Sequence, residues 1–246
     1  MKYNLYDKEF EVFNMIIDLP IEEIQYTQKD ELELFNNMKD VIHWKDNTKK
    51  RPDIISDKYK TMIECMQIND YTKNGEINNY AKDNNEKIKE IDKAMNLKQT
   101  FPNLKSILIN NEVPQKYCSI DNYKKMIYKV IGKHIDNIQY YREEYNNYKL
   151  VFLIIDLTET NYGMELQKNE EFETEIAIYH PIIDEEVMSV FLDKDVDYIL
   201  WYRPFQQLSI INKLAIINNK RLSSFVNEYR RKEHVNCENI TEECKK

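Results

Sequence analysis

The chain has 246 residues, a formal net charge of −8 and only three glycines. A chain of this length can bury about 70% of its unfolded surface, so a full apolar core is attainable without disulfides or a structural metal. The negative balance argues against a broad cationic face for nonspecific binding to duplex phosphates, although it leaves room for a local basic patch. The longest apolar run, Leu150 to Ile155, ends at Asp156. That is far short of the roughly 18 residues a membrane span needs. The N-terminal segment meets Lys8 and Glu9 before any apolar h-region forms, so no export signal is read there and a cytoplasmic location is expected.

In chain order, Phe10, Phe13, Ile16 and Ile17 recur at helical spacing and predict a first helix that ends before Pro20. Residues 28 to 42 predict a second, with Leu34, Phe35, Met38, Val41 and Ile42 as its apolar face and Glu31 on the same side. A polar, turn-rich stretch then leads into Asp53-Ile54-Ile55 and the run from Thr61 to Ile68, which together read as a β-hairpin. A charged helix is expected beyond Gly75, marked by Ile77, Tyr80, Ile88, Ile91 and Met95, and a strand over residues 104 to 109.

One long helix is expected from residue 120 to about 148, with His134 on its apolar stripe as a core histidine. It feeds the continuous apolar run of residues 150 to 155, the pattern of a strand buried on both faces. A strand over 174 to 179, a helix over 184 to 192, a strand over 196 to 202 and two helices over 206 to 231 complete the pattern. Helices alternating with buried strands predict an α/β fold with a mixed β-sheet flanked by helices. A single domain over 1–246 is expected, with N-terminal helices in 1–50, the sheet core in 51–205 and C-terminal helices and a tail in 206–246.

Four cysteines, Cys65, Cys118, Cys237 and Cys244, are widely spread, and with no export signal they are expected to stay reduced. His234, Cys237 and Cys244 match no common zinc spacing, and the segment reads as a polar tail. Two clusters of basic residues stand out. One comprises Lys45, Lys49, Lys50, Arg51, Lys58 and Lys60, and the other Lys220, Arg221, Arg230, Arg231 and Lys232. Asp156, Thr158 and Glu159 follow a buried strand, where open α/β sheets commonly bind ligands, but no glycine-rich phosphate loop follows. Asp197 and Arg203 bracket the strand between them and read as a structural pair.

The chemistry-bearing segment is Arg51-Pro52-Asp53, ten residues, then Glu64-Cys65-Met66. With the acid-bearing helix before it, this order resembles the PD-(D/E)XK nuclease-like superfamily over about residues 28 to 97. The resemblance implies a restriction-endonuclease-like core. It also implies a site in which Asp53, Glu64 and the backbone carbonyl of Cys65 hold Mg²⁺ or Mn²⁺, with Glu31 as a further acid. Such a site hydrolyses DNA or RNA phosphodiesters, because a hard cation on carboxylate oxygens stabilises phosphate charge and activates water.

The family pattern places lysine two residues after the glutamate, on the same strand face. Here that position is Met66, which has neither charge nor a strong donor. Lys60, Lys58 or Lys82 could reach in from elsewhere, and Lys60 is taken as the catalytic candidate. Lys49, Lys50, Arg51 and Lys58 are the expected nucleic-acid contacts; Trp44 reads first as an aromatic cap on the core, with stacking on a base as the alternative. The alternative is a noncatalytic binding or assembly module on the same scaffold. The segment 195–205 is similar to stretches of proteins from low-GC Gram-positive bacteria and their mobile elements, a likeness that brings no activity with it.

Overall fold

Continuous apolar runs through the middle of the chain build a sheet with two buried faces. The computed structural model describes residues 9–47, 51–68, 72–73, 76–77, 120–158, 162–168, 173–204, 212–232 and 235–242. Its main sheet has seven strands: β1 (Ile24–Gln25), β2 (Lys45–Asp46), β3 (Ile54–Ser56), β4 (Thr61–Ile68), β7 (Lys149–Asp156), β10 (Tyr198–Tyr202) and β11 (Leu214–Asn218). Their spatial order is β1-β11-β10-β7-β4-β3-β2. Strands β4, β7 and β10 run parallel at the centre, while β2-β3-β4 form an antiparallel meander and β11 pairs antiparallel to β10. The fold is therefore α/β with a mixed sheet.

On β7, Leu150, Phe152 and Ile154 enter one core while Val151, Leu153 and Ile155 enter the other. Strand β4 divides likewise, with Met62, Met66 and Ile68 on the first face and Ile63 and Cys65 on the second. The second face is covered by α1 (Glu9–Ile17) and α2 (Lys29–Met38). The first is covered by α3 (Ile120–Ile135), α4 (Ile138–Glu144), α5 (Glu185–Met188) and α6 (Leu222–Lys232). Separate small sheets comprise β5 (Thr72–Lys73) with β6 (Glu76–Ile77), and β8 (Tyr162–Lys168) between β9 (Glu173–Ile178) and β12 (Val235–Glu242).

Several elements differ from expectation. The second helix stops at Met38, and a 3-10 turn over Val41–His43 leaves Ile42 86% exposed instead of on the core face. The long helix breaks at residues 136 and 137 into α3 and α4. Residues 184 to 192 form the short α5 and a 3-10 turn. The first of the two C-terminal helices is instead strand β11, because Leu214 to Ile217 is a short apolar run fully buried between two layers. The expected polar tail contains β12. Most of the charged helix beyond Gly75 and the strand over 104 to 109 lie outside the described residues. No helix among the described residues is long and apolar enough to cross a membrane.

Candidate metal centre

The hairpin sets the two predicted acids face to face. Ile54 pairs with Ile63 across β3 and β4, so one step further back the register brings Asp53 opposite Glu64. Opposed residues of an antiparallel pair have Cα atoms about 4.5 to 5.5 Å apart and project to the same side. Asp53 Oδ2 accepts a hydrogen bond from the Cys65 backbone amide at 2.8 Å, taking over the edge of β4 where β3 has ended. The carbonyl of an extended residue points to the same edge as its amide, so the Cys65 carbonyl lies toward Asp53.

Glu64 is only 2% exposed and stands on the apolar face between Met62 and Met66. Its Oε1 lies 2.9 Å from His134 Nδ1 on α3, whereas its Oε2 is buried with no hydrogen-bond partner. The Tyr141 hydroxyl of α4 is also buried beside Glu64 and interacts with its carboxylate, with no hydrogen bond of ordinary geometry between them. Burial and the neighbouring Glu64 carboxylate push that phenol up strongly. Burial, then the charge of Glu64, pushes the Asp53 carboxyl from its usual 3.8 up to about 6. Glu9 of α1 adds a further negative charge to the field at Asp53. Arg51, exposed and joined to Pro52 by a cis peptide, extends its positive field to Tyr140 and Tyr141.

Asp53, Glu64 and Cys65 are thus brought together, and the other candidates are not. Glu31 is buried at the N-terminus of α2, where Oε2 accepts from Thr27 N, Thr27 Oγ1 and Gln28 N, and Oε1 from Asn218 N at 2.9 Å. Asn218 ends β11, three strands from β4, or about 14 Å across the sheet. Glu31 is a helix-capping acid that docks α2 on the sheet. Lys60 occupies the hairpin tip at a left-handed φ of 46°, with its ammonium 4.9 Å from the Tyr148 ring centre. It lies four residues along the strand from Glu64, about 13 Å away.

Lys58 pairs with Asp40 at 2.7 Å and Lys45 with Asp57 at 2.8 Å, so acids interrupt the basic cluster. Lys49, Lys50 and Lys82 lie outside the described residues. Trp44 is buried, packs on Phe13 and donates to the Asn37 carbonyl, which makes it a core residue instead of a base-stacking platform. Met66, at 3% exposure, is part of the core.

The sequence alone does not mark His134, read there as a core histidine, or Tyr141 and Glu9 as neighbours of the acid pair. His134 occupies the apolar stripe, where a histidine usually serves packing, and its acid partner is 70 positions away. The cue available was Glu64 itself, an acid on an apolar strand face that needs compensation.

A second buried polar cluster lies at the carboxyl ends of β7 and β10. Asp156 Oδ2 accepts from the Tyr123 hydroxyl and from Trp201 Nε1 at 3.0 Å, and lies 3.3 Å from Arg203 Nε. Its Oδ1 accepts from Thr158 N and Oγ1. Arg203 therefore pairs with Asp156 and not with Asp197, which instead binds Arg142 at 2.9 Å and the Leu150 amide at 2.8 Å. This cluster is rich in internal partners and reads as a structural lock.

Among the described residues, no group of three or more His, Cys, Asp or Glu side chains is gathered for a metal ion. A cation at Asp53 and Glu64 would therefore have two carboxylates, the Cys65 carbonyl and water as ligands. Comparison of the chain with protein-family models, curated proteins and solved structures returned no match.

Proposed function

We propose that this chain is a cytoplasmic, Mg²⁺- or Mn²⁺-dependent phosphodiesterase acting on DNA or RNA, built on a restriction-endonuclease-like core. Asp53, Glu64 and the Cys65 carbonyl are its cation ligands. The observation that carries the proposal is the Glu64 carboxylate, buried on an apolar strand face with Oε2 held by no hydrogen bond of ordinary geometry and set beside a second acid. A buried, unpaired anionic oxygen is costly, and a hard cation with oxygen ligands is the natural compensation.

When bound, such an ion supplies an activated water and neutralises charge on phosphate oxygens. The protein's own groups do the rest. Asp53 is fixed by the Cys65 amide, Glu64 by His134, and Arg51, two residues before Asp53 in the chain, provides an exposed cation to steer a phosphate. Lys49 and Lys50, which precede Arg51 in the sequence, are proposed as further contacts to the nucleic-acid backbone.

A specific observation favours a second reading, a noncatalytic binding or assembly module. Met66 occupies the lysine position and is packed into the core, so the face beside Glu64 carries no ammonium there. Cleavage of plasmid, single-stranded DNA and RNA with Mg²⁺ or Mn²⁺ separates the two. Cleavage lost in Asp53→Ala and Glu64→Ala supports the phosphodiesterase, and absence of cleavage by the wild type on all three substrates rejects it.

A further inference from the structure

Resting on that cation reading, we infer that His134 is the positioning residue of the centre, holding Glu64 so that Oε2 and not Oε1 is the oxygen offered to the ion. Glu64 has rotational freedom that a two-residue acid pair on a strand cannot restrict by itself. His134 removes it by engaging Oε1 at 2.9 Å. For Nδ1 to donate, the imidazole must carry its proton there.

His134 is itself held in place from two sides. It extends the stripe Tyr123, Ile127 and Ile131, which is fully buried and seats α3 over β4. Its ring stands edge-on to Phe152, with centroids 6.5 Å apart and planes at 73°. Phe152 is the β7 residue in register with Glu64. The same pairing that aligns β4 with β7 therefore positions both the acid and the ring that orients its partner. Tyr141, on α4 after the helix break, brings a buried hydroxyl beside Glu64. The break at residues 136 and 137 turns what would be one helix into two arms over the same carboxylate.

Hydrogen bonds that orient a ligating carboxylate are commonly worth 10- to 100-fold in metal affinity. Asparagine and leucine are nearly isosteric, and only asparagine retains a donor near the position of the imidazole Nδ1. Titration calorimetry of MnCl₂ into the metal-free full chain should therefore compare wild type, His134→Asn, His134→Leu and Asp53→Ala, with melting temperature recorded for each. The inference predicts that His134→Leu weakens Mn²⁺ about 10- to 100-fold, while His134→Asn stays within about threefold of wild type, a difference of under 1 kcal/mol.

Equal affinity in wild type and His134→Leu, with binding lost in Asp53→Ala, overturns the positioning role and leaves the cation reading intact. Equal weakening in the asparagine and leucine variants assigns His134 to packing and also overturns it. Failure of the wild type to bind Mn²⁺ removes the cation reading and this inference with it.

Discussion

Asp53 Oδ2 receives the Cys65 amide at 2.8 Å, so a side chain continues the β3–β4 ladder one residue beyond its last backbone pair. This bond pins one acid of the pair at the open edge of β4, facing the other. Such placement is unfavourable without a cation, and a pH dependence of stability follows from that cost.

The first concerns pH. The folded Asp53 carboxyl keeps its proton up to about 6, against 3.8 for an ordinary aspartate. The folded state thus binds more protons between these values, and stability falls as pH rises through that window. Discounted for the partial exposure of the group, the loss is about 1 to 2 kcal/mol. Asp53→Asn, which can still accept from the Cys65 amide, should stabilise the metal-free protein by that amount at pH 7.5 and flatten the profile between pH 4 and 6. Urea unfolding across that range checks both.

Glu31 gives a prediction of opposite kind. Its four donors are all close to the chain ends of α2 and β11, so Glu31→Ala leaves buried amides of Gln28 and Asn218 without acceptors. A loss of about 2 to 4 kcal/mol is expected. Mn²⁺ affinity of the folded variant should be unchanged, because the residue lies three strands from Glu64. A loss of affinity at unchanged stability would place Glu31 in the centre after all.

Breaking the Asp156–Arg203 pair should be among the most damaging single changes. Both residues are at most 2% exposed, and Asp156→Ala would strand the guanidinium in the core. A cost of about 3 to 5 kcal/mol follows. Joint replacement by apolar residues of similar volume should recover much of it, which a comparison of single and double variants by chemical denaturation would reveal.

Lys60 should be dispensable for chemistry. Its φ of 46° suits glycine better than lysine, so Lys60→Gly is expected to gain about 0.5 to 1 kcal/mol. Cleavage by the variant should match the wild type. A large fall in turnover with unchanged Mn²⁺ affinity would restore Lys60 as the catalytic lysine.

The hairpin and the central strand were legible because their apolar runs are long and bounded by turn residues. The acid on α2 was legible as inward-facing, but not its destination, since its partner amide at Asn218 is 187 positions away. Strand β11 was read as helix because a four-residue apolar run fits a buried element of either kind. The break between α3 and α4 was hidden by a stripe that keeps its spacing on both sides, with Ile131 and Ile138 both buried. Arg203 was assigned to the nearer acid in sequence. Asp197 is engaged instead by Arg142, a longer-range pairing that sequence spacing does not reveal.

Mn²⁺ titration into the metal-free wild type, Asp53→Ala and Glu64→Ala at pH 7.5 is the most direct test of the acid pair as a cation centre. The account predicts saturable binding by the wild type that both substitutions abolish while the variants remain folded. Binding that survives either substitution, or no binding by the folded wild type, would contradict it.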